Sequence, residues 1–157
     1  MEQFLETAMR LHGDMVYRLA LCHLQNKADA DDVYQEVFLR LFGKGQTEWA
    51  DNHLQFWLIR TTLHRCADIG RFRFKKQTLP LDEVLAQAPS PDDEAVALWE
   101  AVAKLPIKLR TPIHLHYAEG YTSEEIAEIL KIPASTVRTR LYRARNKLKQ
   151  QKTTTWR

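Results

Sequence analysis

No run of about 18 apolar residues occurs in this chain, so no stretch of it is expected to span a membrane. The first residues, "MEQFLETAMRLHGDM", are acidic and amphipathic, the wrong chemistry for a secretory leader. Cysteine is scarce. Cys22 and Cys66 are too few for a disulfide framework and suit a reducing compartment. A cytoplasmic protein is the expectation. Strand signals are missing as well, with no alternating β-branched runs and no Asn-Gly or Asp-Gly hairpin turn. So are the motifs of catalysis: no glycine-rich phosphate loop, no Gly-x-Ser-x-Gly, no His-Glu-x-x-His. Cys22, His23, His64 and Cys66 match no zinc-ligand spacing. The acids of "DADD" (29–32) stand at a helix start, where capping and the helix dipole account for them. An enzyme, a metal and a cofactor are therefore not expected.

What the chain does have is helical periodicity and segregated charge. With 157 residues, 45% of them apolar, it is expected to fold as one medium domain or two small ones. Phe4, Leu5, Ala8, Met9, Leu11, Met15, Val16 and Leu19 recur at helical spacing, with His12-Gly13-Asp14 as a candidate break. A second helix opens at Asp29, carries Ala30, Val33, Tyr34, Val37, Phe38, Leu41 and Phe42 on its apolar side, and ends at Gly43-Lys-Gly45. A third is expected from about His53 to Arg73, with Phe56, Trp57, Leu63, Ala67 and Phe74 inward. Pro80, Pro89 and Pro91 lie among polar and acidic residues and mark a linker over 77–93. The fold class that follows is all-α, with small helical domains at 1–76 and 94–157. The second domain reads as four short helices: Asp92–Lys104, about Lys108–Glu119 with Pro112 inside or at a new start capped by Thr111, one begun by Thr122, and one begun near Ala134.

Charge alternates along the chain. Residues 1–59 carry nine acids against five Lys/Arg, and 60–76 carry six Lys/Arg against one acid. Residues 77–103 carry six acids and no Lys/Arg, and from Ile129 to the end there are nine Lys/Arg and no acid. Two basic blocks between acidic stretches suggest two surfaces for a polyanion.

The second block has a recognisable layout. Thr122-Ser-Glu-Glu125 fits a capping box. Ile126, Ala127 and Leu130 form the apolar side of the helix it starts, and the short turn "KIP" places Ile132 at a corner. This is a helix-turn-helix arrangement. In the next helix Val137, Leu141, Ala144 and Leu148 make one buried stripe. Thr136, Arg140, Arg143 and Lys147 line one flank, and Arg138, Tyr142, Arg145 and Lys149 the other. Ser135, Thr139 and Asn146 lie opposite the stripe. Small polar side chains on the outermost face let a helix sit deep in a major groove, with arginines reaching phosphates or guanine edges. Ser135, Thr136, Arg138 and Thr139 are best placed for bases; Arg140, Arg143, Arg145 and Lys147 complete the duplex-binding set, the last three toward phosphates. In the first block Arg60, Arg65, Arg71 and Arg73 interleave with Trp57, Phe72 and Phe74, a pattern that suits unpaired bases and on composition alone also fits core aromatics beside solvated cations.

Three segments, taken together, resemble the extracytoplasmic-function sigma factors of bacterial RNA polymerase. "ADADDVYQEVFLRLF" (28–42) resembles their region 2 helix, and "FWLIRTTLHRCADIGR" (56–71) the promoter-reading helix that follows it. "LPIKLRTPIHLHYAEGYTSEEIAEILKIPASTVRTRLYRARNKL" (105–148) resembles region 4. The resemblance implies a dissociable promoter-specificity subunit whose partners are core RNA polymerase, promoter DNA and an anti-sigma factor, with no direct membrane insertion. It implies docking on the clamp helices of the largest polymerase subunit through Asp32, Gln35 and Glu36. It further implies capture of a flipped −10 base by the loop 43–52, where Trp49 stands, beside Arg60, His64, Arg65, Arg71 and Arg73, and −35 reading by the last helix. His64 stands where the family has Asn, Ala134 where it has Gly, and Thr139 where it has Ser, while Ile69-Gly70 departs from the pattern at the end of the basic helix. The alternative is a stand-alone helix-turn-helix regulator, which would need a ligand or dimerisation module in the N-terminal half.

Overall fold

The computed structural model describes residues 2–45, 49, 52–73 and 93–155. Every regular element among them is helical, so the fold is all-α. The chain divides into two compact units, Met1–Leu79 and Pro80–Arg157. The sequence-predicted linker lies outside the described residues except for Asp93, which opens a helix.

The N-terminal unit is three helices in mutual contact: α1 (Glu2–Leu24), α2 (Lys27–Lys44) and α3 (His53–Arg73). Val16, Leu19, Val33, Val37, Leu41, Leu58 and Ile59 are wholly removed from solvent. Each such side chain contributes about 1.5–3 kcal/mol of burial. Asn26 caps α2 by accepting from the Asp29 amide at 2.9 Å. Gly45, at φ 85°, ends it with its amide on the Leu41 and Phe42 carbonyls.

Three expectations for this unit need correction. Gly13 does not break α1, which runs through it unbroken. The glycine is there for space: a Cβ would lie 2.9 Å from Tyr34 Oη. Tyr34 in turn packs on Tyr17 and Phe38, with ring centroids 6.4 and 4.9 Å apart. Phe42 is 47% exposed rather than inward, because the core stripe of α2 ends at Leu41. On α3 Ala67 is exposed, while Leu58, Ile59, Thr62, Cys66 and Ile69 face the core. Phe74 lies outside the described residues.

The C-terminal unit contains α4 (Asp93–Ala103), α5 (Ile107–Ile113), a wide π-turn (His114–Ala118), α6 (Ser123–Leu130) and α7 (Ala134–Thr155). Arg110 fastens the first junction: its guanidinium donates to the Ala103 carbonyl at 2.9 Å and to the Leu105 carbonyl at 2.8 Å. It thereby supplies a donor at the C-terminal end of α4. Pro106, not Thr111, stands at the start of α5, and Pro112 lies within it. Proline lacks an amide donor, and the backbone widens into the π-turn two residues on.

The π-turn is tied to the start of α6. The Tyr121 amide donates to the Leu115 carbonyl at 3.0 Å, and His116 Nδ1 donates to the Tyr121 carbonyl at 2.8 Å. His114 Nε2 donates to Glu119 Oε2 at 3.0 Å, both side chains being buried. Burial, then the Glu119 and Glu125 carboxylates, pushes the Tyr121 phenol up to about 12 from the ordinary 10. A phenol held protonated by the fold contributes stability that is whole below pH 10 and lost as pH rises from 10 through 12. Absorbance at 295 nm is therefore expected to show a late ionisation near pH 12 that Tyr121→Phe removes.

Candidate nucleic-acid interface

The helix-turn-helix is built by local rules. Thr122 Oγ1 accepts from the Glu125 amide at 3.1 Å, and Glu125 Oε1 accepts from the Thr122 amide at 2.9 Å, so both halves of the capping box form. Lys131 closes α6 in the left-handed region at φ 58°. The Thr136 and Val137 amides then run back to the Pro133 carbonyl and begin α7. Ile126 and Ile129 are the buried residues of α6, whereas Ala127 and Leu130 are half-buried. On α7 Val137, Leu141 and Ala144 are buried and Leu148 is half-buried.

This packing turns the rest of α7 outward. Ser135, Arg138, Thr139, Arg143, Arg145 and Lys147 are exposed, and Thr136 and Arg140 are half-buried. Thr139 Oγ1 donates to the Ser135 carbonyl at 3.0 Å, which leaves its methyl and oxygen lone pairs outward. Arg138 lies 3.5 Å from Glu124 on α6, an exposed pair worth at most about 1 kcal/mol and readily exchanged for another partner. Arg145 donates to Tyr117 Oη at 2.8 Å, which holds its guanidinium beside the π-turn.

On the opposite flank α5 and α7 enclose an open groove of about 540 Å³. Thr136, Arg140, Arg143 and Lys147 line it from α7, and Pro106, Lys108 and Leu109 from α5. Four cations and no acid line this groove, the complement of a sugar-phosphate strand. Sequence reasoning missed Lys108. Its only linear signal was a charge near a proline, and nothing in a helical repeat connects position 108 with position 140.

In the N-terminal unit the candidate residues divide between two helices. Asp32 and Gln35 are exposed on α2. Glu36 is half-buried, with Oε1 accepting from Arg40 at 3.0 Å and Oε2 against Arg65 Nε of α3. His64 is exposed on α3 and Arg60 is half-buried. The side chains of Arg71 and Arg73, at the end of α3, lie outside those described. Trp49 packs on Trp57 with ring centroids 5.9 Å apart, and Lys44 Nζ lies 5.8 Å from the first ring and 5.9 Å from the second. Trp49 Nε1 is buried and has no acceptor among the described residues. Cys66 and Cys22 are both buried, and burial followed by the neighbouring Cys22 pushes the Cys66 thiol up to about 12. Among the described residues no cluster of metal-ligating side chains forms, and no helix is long and apolar enough to cross a membrane.

Comparison with known proteins bears on both units. Residues 8–78 match the family model for Sigma-70 region 2, and residues 95–148 the model for Sigma-70, region 4. The chain is 31% identical over 160 residues to the ECF RNA polymerase sigma factor SigW of Bacillus subtilis, covering 90% of this chain and 84% of that one. It is 34% identical over 151 residues to the ECF RNA polymerase sigma factor SigE of Mycolicibacterium smegmatis, covering 90% of this chain and 58% of that one. Among solved structures, the sigma factor RpoE of Bartonella quintana, crystallised with the anti-sigma factor NepR, superposes with a TM-score of 0.73. That match covers 96% of this chain and 97% of the other at 21% identity, a likeness of fold. An acidic α2, a cationic α3 and a helix-turn-helix with an acid-free outer face follow one another in one chain, and the chain belongs to the extracytoplasmic-function family of RNA polymerase sigma factors.

Proposed function

We propose that this chain directs core RNA polymerase to a bipartite promoter, has no catalytic activity of its own, and works in the cytoplasm. Residues 1–76 form the polymerase-docking and −10 domain, 77–93 the linker, and 94–157 the −35 domain. Asp32, Gln35 and Glu36 meet the polymerase. Trp49, Arg60, His64, Arg71 and Arg73 serve the −10 region, where unpairing costs a few kcal/mol that a pocket must return. Ser135, Thr136, Arg138 and Thr139 read the −35 duplex, and Arg140, Arg143, Arg145 and Lys147 hold its backbone. An anti-sigma partner, such as the one bound to the Bartonella quintana RpoE, belongs to the same reading.

The observation that carries this proposal is the outer face of α7, exposed, cationic and free of acid, on a helix-turn-helix whose capping box is complete. Run-off transcription with purified bacterial core on a promoter library tests it. Specific initiation is expected; well-folded protein that initiates with none of several cores overturns it.

The division between base and backbone contacts has its own test. Arg138→Ala is expected to cost about 1–3 kcal/mol on the preferred −35 sequence and to relax preference at one position. Arg145→Ala is expected to weaken binding evenly across sequences and to lower the salt slope by about 1. Identical behaviour of the two variants in salt-dependent binding assays overturns the division.

A further inference from the structure

We propose that Arg65 is a positioning residue for polymerase docking rather than a contact to −10 DNA. This rests on the reading of α2 as the docking helix. Arg65 belongs by sequence to the basic block of α3, yet its side chain crosses to α2 and meets Glu36. Arg40, one turn after Glu36 on the same helix, takes the other carboxylate oxygen at 3.0 Å. One carboxylate is thus held between two guanidinium groups, one oxygen to each. Glu36 and Arg65 are each 31% exposed, so parts of both side chains reach the surface although Arg65 Nε itself is buried.

Two consequences follow from charge and geometry. A glutamate on a bare helix samples several rotamers and loses that freedom when a partner binds. The two arginines remove most of that loss in advance by holding Glu36 in one orientation. They also change what the partner meets. The triad carries a net charge of +1 where the sequence alone suggests an acid, and one turn earlier on α2 stands the exposed acid Asp32. Arg65 turns its Nε edge toward α2, where it is buried against Glu36, whereas His64, the preceding residue, is exposed on α3. Neighbouring positions on one helix therefore serve different partners.

The test separates docking from DNA binding in the full chain. Affinity for core polymerase is measured by competition with labelled wild-type protein. Affinity of the saturated complex for a −10 fork-junction DNA is measured separately, and thermal melts check folding. Arg65→Ala and Glu36→Gln are each expected to weaken core binding about three- to tenfold. The double variant should be no weaker than the worse single, because both remove one interaction. Arg65→Lys should recover part of the loss, and fork binding by Arg65→Ala should match wild type. His64→Ala is expected to show the opposite pattern. Unchanged core affinity in Arg65→Ala, additive losses in the double variant, or reduced fork binding with a smaller salt slope each overturn the assignment. Failure of the wild-type chain to bind any core overturns the docking reading and this inference with it.

Discussion

Leu141→Ala is expected to abolish duplex binding without removing a single DNA contact. Leu141 is 2% exposed on the inner stripe of α7, between Val137 and Ala144, which are fully buried. Truncating such a leucine costs about 2–5 kcal/mol in transfer and cavity energy. Small domains have stabilities near the low end of about 5–15 kcal/mol, so the loss consumes much of what the C-terminal unit has. For a unit of this size it lowers the melting temperature by on the order of 10–30 °C. The next residue, Tyr142, is 63% exposed, and Tyr142→Ala is expected to shift stability by no more than about 0.5 kcal/mol. Circular-dichroism melts of the two variants make the comparison. A Leu141→Ala protein that melts like wild type but fails to bind DNA would show that the stripe faces the nucleic acid and that the assigned outer face is wrong.

The second large effect is electrostatic. Lys108, Arg140, Arg143 and Lys147 line the groove between α5 and α7. Each phosphate neutralised adds about 0.9 to the slope of log affinity against log salt, on the order of 1 kcal/mol at about 0.15 M salt. Replacing all four by alanine is therefore expected to lower −35 duplex affinity roughly a thousandfold there and to reduce the slope by about 3 to 4. Preference among −35 sequences should survive in the residual binding at low salt, since Arg138 and Thr139 remain. Lys108→Ala alone isolates the residue that the linear pattern did not suggest. A slope unchanged by that single substitution places the DNA strand away from α5.

Much of this architecture is legible from local chemistry. The start of α6 could be read directly, because a capping box involves only residues three apart. So could the end of α2, where glycine supplies a positive φ. The stripe on α7 is legible because leucine, valine and alanine announce burial. The inner face of α3 is harder because one of its core positions is polar. Thr62 is fully buried, its hydroxyl satisfied by donating to the Leu58 carbonyl at 2.7 Å, so a polar residue occupies a core position at no cost in unpaired groups. Gly13 was misread because a glycine in a helix signals a break until its neighbour across the core, Tyr34, is known. The partners of Arg65 and Lys108 lie on other helices, and no periodicity within one helix discloses them.

The wide turn at His114–Ala118 acts as a phase shifter. An α-helix advances about 100° per residue, and a π-turn holds one residue more than an α-turn. Within it Leu115 is buried and Tyr117 is exposed, its Oη accepting from Arg145. Positions before and after this turn therefore keep two different counts. Aligning a relative that lacks the extra residue calls for a one-residue gap inside 114–118. Without that gap, correspondence correct for α5 is wrong by one position through the π-turn, Glu119 and the whole of the reading helix.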